Sequence, residues 1–425
     1  MGDACRNRGG CVTGNLGSTV GSAPVPRRLL IYSHDSFGLG HLRRCRAIAH
    51  HLVDRFGDLS VLILSGSPII GSFDFKARVD FVRVPGVIKL RNGDYTSLQL
   101  HIDPEHTLAI RASIIRHTAE VFEPHVCLID KEPLGLRGEV RDTLAMLKAR
   151  GTRLVLGLRE IIDEPQSLIE EWERKQVYPA LRDLYDRIYV YGPRAMFDPL
   201  TELPGFAEFA PKVRFTGYLR RSVPAWSHPA EDDGGLPDTP FILVTPGGGG
   251  DGEGMVDAVL AAYEADPALP HACVILFGPF MSVEERRRFI ERADRLSQVH
   301  CRTFDAWVER LYADASAVVA MGGYNVFCEI LSFDKPALLV PRTVPRREQW
   351  LRAERAAGLG VVSMLELEAA ADPVRMAAAL RALPSSPPPS AAPTPLPLDG
   401  LECIADDLEP ELGTRRSGPR LRALG

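Results

Sequence analysis

Short apolar runs separated by helix-length segments recur along this chain in two successive series, and no other feature restricts its fold as much. RLLIYS, SVLILS, VDFVRV, HVCLID, TRLVLGL and RIYVYG form the first series. Between most of them lie stretches of helical spacing, such as 41–55, 104–122 and 137–150. FILVTP, ACVILFG, VHCRTF, AVVAMG, ALLVP and GVVSM form the second, with helical patterns at about 253–265, 282–297, 306–314, 324–333, 346–357 and 366–383. Near-continuous apolar strands alternating with helices indicate parallel sheets covered on both faces. The expectation is therefore an α/β protein with two Rossmann-like parallel-sheet domains facing across a cleft. At 425 residues the chain is too long for one ordinary core and suits two.

Punctuation divides it further. Residues 1–26 are rich in Gly and Ser and read as a disordered tail. The first domain then spans 27–220, a Pro-, Gly- and acid-rich linker 221–239, and the second domain 240–383. Residues 384–397 are a proline-rich connector, and 398–425 hold one more short helix and a tail. The net charge of −5 gives no basic field to draw nucleic acid. No apolar run approaches the ~20 residues of a membrane span, and the N-terminus has no apolar signal core. The eight cysteines form no CxxC pair and read as scattered thiols in a reducing compartment, so a cytoplasmic location is expected.

In open parallel sheets ligands bind outside the carboxyl ends of the strands, which brings SFGLGH, LIDKEPLG, TPGGGGDGEG and MGGYN to one cleft. The TPGGGGDGEG run (245–254) passes from strand through a glycine turn to a helix. Gly247, Gly248 and Gly249 would let main-chain N–H groups approach an anion at a helix N-terminus. The run lacks the Lys-Ser/Thr of a Walker loop and does not fit G-x-G-x-x-G. A merely flexible turn is the competing reading. In MGGYNVFCEI (321–330), Gly322 and Gly323 precede a helix on which Asn325 and Glu329 share a face, four residues apart. A phosphate at the helix start and a ribose one turn deeper would suit these residues. Taken alone, an ordinary helix with a solvated Glu329 is the simpler reading.

GGYNVFCEI, then DKPALLVP, then RREQWLRAERAAGLG resembles the nucleotide-sugar signature of GT-B glycosyltransferases, both the MurG-like family (glycosyltransferase family 28) and the UDP-glycosyltransferases. The resemblance implies nucleotide-sugar binding by Gly322, Gly323, Asn325, Glu329, Glu348 and Gln349, with the 247–249 glycines. The chain departs from the pattern at Met321, where the family often has a phosphate-binding His, and at Val326, where it often has Ser. GLGHLRRCRAIAHHL is similar to the glycine-histidine turn of the MurG-like enzymes, and closer still to the G-x-G-H-x-x-R-C run of sugar-nucleotide hydrolases of the same superfamily. In the plant-type transferases the histidine of that turn is the general base and an aspartate orients it. The positions here are His41 and Asp130, with Gly38, Gly40 and Arg44 expected to serve phosphate or acceptor. A His–Asp pair suits proton removal near neutrality. A helix-capping or core histidine is the alternative for His41.

The resemblance thus implies an inverting, metal-independent transfer of a hexosyl group from a nucleotide-diphosphate sugar, UDP-sugar foremost, to an acceptor hydroxyl. No cofactor and no metal are expected: His34 and Asp35 lack a third ligand. The acceptor stays open between lipid-linked and small-molecule hydroxyls, the former with peripheral membrane contact. The aperiodic 85–105 connection, with Lys89, Arg91, Asp94, Tyr95 and His101, is either an acceptor loop or a disordered excursion. Two other functions stand beside transfer: a sugar-nucleotide hydrolase and a non-catalytic sugar-nucleotide-binding protein.

Overall fold

The computed structural model describes residues 26–34, 40–89, 95–224, 236–248, 250–305 and 307–413. The expected tail at 1–25, Gly38, Gly249, most of the linker and residues 90–94 of the candidate acceptor loop lie outside these residues.

Nine strands belong to the first half: β1 (Arg27–Ser33), β2 (Leu59–Ser65), β3 (Val79–Arg83), β4 (Val87–Lys89), β5 (Tyr95–Ser97), β6 (Val126–Asp130), β7 (Arg153–Arg159), β8 (Arg187–Tyr191) and β9 (Val213–Phe215). Seven pair in the order β3-β2-β1-β6-β7-β8-β9, all parallel, while β4 and β5 form a separate antiparallel hairpin. The second half contributes β10 (Phe241–Thr245), β11 (Ala272–Leu276), β12 (Val299–Arg302), β13 (Ala317–Ala320), β14 (Ala337–Leu339) and β15 (Ser363–Met364). These pair in the order β12-β11-β10-β13-β14-β15, again all parallel. Every apolar run expected as a strand is one. The hairpin and β9 escape notice in the sequence because at three residues each they are too short to show a period.

Burial follows from the layering. All five residues of β6, β10 and β11 are buried, since helices cover both faces. The Gly40–Arg55 helix packs Leu42, Cys45, Ile48, Ala49, Leu52 and Val53 inward at helical spacing. The Gly400–Leu412 helix does not remain with the second sheet. It crosses back and buries Leu401, Ile404, Leu408 and Leu412 in the core that β1 and the first helix share. Its Asp407 accepts hydrogen bonds from Arg153, Arg187, Arg214 and the Tyr189 hydroxyl.

Strand order places the site. In the first sheet the order reverses between β1 and β6, and in the second between β10 and β13. The crevice beyond the carboxyl ends at such a reversal is where α/β sheets bind ligands. The segments that follow these four strands hold His41, Asp130, Gly247 and Gly323.

Candidate active site

His41 lies in the first turn of the Gly40–Arg55 helix, and Asp130 ends β6. Nδ1 of His41 is 2.5 Å from Asp130 Oδ2. Asp130 is fully buried and also accepts from Arg44 Nε at 2.8 Å and Nη2 at 2.6 Å. Burial alone would raise its carboxyl, but Arg44 and His41 overrule it and hold the group ionised, well below the usual carboxylate range. An ionised Asp130 needs a donor at 2.5 Å, so the proton of neutral His41 resides on Nδ1 and Nε2 keeps its lone pair. Burial pushes the imidazole down to about 4 against the pull of Asp130. The result is an oriented neutral base.

Arg44 was expected to reach phosphate or acceptor. It does not: it is 2% exposed, and its fork is spent on Asp130. Its neighbour Arg43 points across the cleft instead, pairing with Glu329 and, at 3.3 Å, with Glu309. Those carboxylates keep Arg43 protonated despite its burial. Glu329 is fully buried, which pushes its carboxyl upward, so the solvated-helix reading of this residue fails.

The Tyr324–Ser332 helix begins at Gly323, which offers no side-chain cap, so the N–H groups of Tyr324, Asn325 and Val326 have no intrahelical partner. Gly322 sits at φ +83° and Gly247 at φ +85°, left-handed conformations that favour glycine. The Gly247 N–H donates to the Thr245 hydroxyl at 3.2 Å, so in this state it is engaged within the loop. Gly248 lies against Gly278, where a Cβ would meet backbone at 2.4 Å. A cleft runs between these elements, lined by Arg43, Thr245, Gly247, Phe304, Val326 and Glu329.

Asn325 is turned to another task. Its Nδ2 donates to the Gly40 carbonyl at 2.8 Å, and its Oδ1 accepts from Arg221 at 3.0 Å. That contact sets the first turn of one domain's helix against the first turn of the other's, one residue from His41. Glu348 and Gln349 begin the Glu348–Gly358 helix; both are buried, and Glu348 Oε2 and Gln349 Oε1 have no partner. Unsatisfied buried acceptors at a cleft are suited to receive hydroxyl groups.

Sequence reasoning missed the pair that clasps the domains. Glu160, just beyond β7, accepts from Arg352 at 2.6 and 3.2 Å and from the Tyr218 hydroxyl at 2.9 Å. Arg352 also donates to the Gly322 carbonyl at 2.9 Å, and both ionic side chains are fully buried. No local pattern marks either residue. The dyad left a partial trace, since His41 and Arg44 stand three apart on one helix face. Among the described residues no group of three His, Cys, Asp or Glu could hold a metal, and no helix is long and apolar enough to cross a membrane.

Comparison with known proteins follows this geometry. No family model and no curated protein matches the chain. Solved structures do. The glycotransferase of kitacinnamycin superimposes with a TM-score of 0.54 at 17% identity, over 92% of this chain and 95% of that one. MurG of Acinetobacter baumannii gives 0.52 at 11% identity, over 91% and 100%. The Neisseria meningitidis UDP-GlcNAc 2-epimerase, bound to UDP-GlcNAc, gives 0.53 at 12% identity, over 90% and 99%. The fold is GT-B, as the sequence resemblance implied.

Proposed function

We propose that this chain is a glycosyltransferase that moves a hexosyl group from a nucleotide-diphosphate sugar, foremost a UDP-sugar, to an acceptor hydroxyl. The observation that carries the reading is His41 Nδ1, 2.5 Å from the buried Asp130 carboxylate and one residue from the contact of Gly40 with Asn325. Nε2 takes the acceptor proton, and the freed oxygen forms a bond to the anomeric carbon. The bond from that carbon to the diphosphate oxygen breaks, and its electron pair leaves with the diphosphate. A single displacement of this kind inverts the anomeric centre. The open N–H groups of the helix that starts at Gly323 meet the developing charge, which supplies without a metal the electrostatic stabilisation such a transfer needs. Glu329 accepts from the ribose once Arg43 moves aside, and Glu348 and Gln349 accept from the sugar.

Hydrolysis is the second reading, favoured by the GLGHLRRC run, with water in place of the acceptor. Incubation with a panel of nucleotide sugars, with and without acceptor alcohols, separates the two. Release of free sugar at an equal rate without acceptor identifies a hydrolase. Transfer that falls by about 10²–10⁴-fold in His41→Ala, with donor binding retained, supports the proposed base. Donor binding without turnover under any condition would leave a binding protein.

A further inference from the structure

A second cavity opens beside the first helix. Its walls come from the Gly40–Arg55 helix, residues 220–224, Glu309 of the Val308–Asp314 helix, Lys76 and Leu401 of the Gly400–Leu412 helix. Arg43 separates it from the nucleotide cleft and lines both.

The charges in this cavity do not balance. Of its two carboxylates, Asp54 is paired with Lys76 and Glu309 with Arg43. Among the described residues, three guanidinium groups of the cavity have no carboxylate partner. Arg46 is 9% exposed and donates only to the Asp74 carbonyl, at 2.9 Å. Arg221 is 7% exposed; its Nη2 donates to Asn325, while its Nη1 is buried with no partner. Arg220 also lines the cavity, is exposed and makes no ion pair among the described residues. Like charges gathered around one hollow repel each other unless an anion joins them. A buried donor left unsatisfied is costly, so Arg221 Nη1 favours a ligand that accepts from it.

We propose that this cavity is a second anion site, which takes a phosphate group and holds it between the domains by Arg46, Arg220 and Arg221. Guanidinium forks match the geometry of phosphate oxygens. Among the described residues no Phe, Tyr or Trp lines the cavity, while His50 and His51 do. Inorganic phosphate, pyrophosphate and a phosphate monoester all carry the group that such a site accepts. The site does not depend on the transferase reading: a chain that bound phosphate here and transferred no sugar would keep the one and lose the other.

Calorimetric titration at fixed ionic strength with inorganic phosphate, pyrophosphate and a hexose phosphate tests it. Arg220→Glu reverses the charge at an exposed, unpartnered position and leaves the fold intact. Arg287→Glu, on an exposed helix face remote from the cavity, controls for the general field. Saturable binding of at least one of the three is expected, weakened tenfold or more in Arg220→Glu and unchanged in Arg287→Glu. The best ligand then names the source of the phosphate. No saturation by about 10 mM, the weak limit of specific binding, would overturn the site. So would binding indifferent to Arg220→Glu, which would place the anion at the glycine loops, or binding weakened equally by both variants.

Discussion

Acidification should leave His41 neutral far below the pH at which an ordinary histidine gains its proton. Burial drives its imidazole down to about 4, and Asp130, which would draw it up, divides its charge with Arg44 at 2.6 Å. The displacement from an unperturbed value near 6.5 is worth roughly 3 kcal/mol in favour of the neutral ring. The sign for stability follows. Between pH 6.5 and about 4 the unfolded chain binds a proton at this residue and the folded chain does not. His41 therefore makes the fold less stable as pH falls through that window, by up to about 1.4 kcal/mol per pH unit. The same displacement keeps the base active. The acid limb of kcat/KM should fall near pH 4 rather than near 6.5. Long-range nitrogen-detected NMR of the imidazoles, with His41→Ala to assign the signal, reads the titration independently of turnover. Arg44→Met returns the whole charge of Asp130 to His41 and should move the titration upward. A His41 titration near 6.5 in the unaltered protein would refute the argument, and with it the assignment of a neutral, Nδ1-protonated base.

Glu160→Gln leaves Arg352 buried without its counter-charge and should lower stability by about 3–5 kcal/mol in denaturant unfolding; small-angle scattering should show the domains opening, and unchanged compactness would mean that the pair does not clasp them. Glu329→Ala should weaken nucleoside-diphosphate binding by about 1–3 kcal/mol, or roughly 5–150-fold, in calorimetry; equal affinity would remove Glu329 from the ribose. Ending the chain after residue 398 strips Leu401, Ile404, Leu408 and Leu412 from the first core. At about 1.5–3 kcal/mol each their loss approaches the whole stability of a domain, so the shortened protein should fail to give a cooperative melt.

What was readable in the sequence was whatever the chain encodes locally. Apolar runs flanked by helical periods announce strands in a parallel sheet because a strand buried on both faces has no polar alternation to show. The glycine turns announce themselves because a left-handed φ, as at Gly247 and Gly322, excludes most other residues. His41, Asp130 and Glu329 were visible as residues of the right chemistry at the ends of such elements. Beyond the His41–Asp130 pair, their partners were not. Arg44 meets Asp130 across 86 residues of sequence, Glu160 meets Arg352 across 192, and Arg43 meets Glu329 across 286. Nothing within a turn of an arginine says whether it will face water, phosphate or a carboxylate from the other domain. The order of the strands and the closure of one domain on the other decide that. Burial then raises the free-energy difference between a paired and an unpaired charge until only one arrangement persists. Arg44, which the resemblance assigns to phosphate or acceptor, is for that reason an internal counter-ion that holds the charge of Asp130.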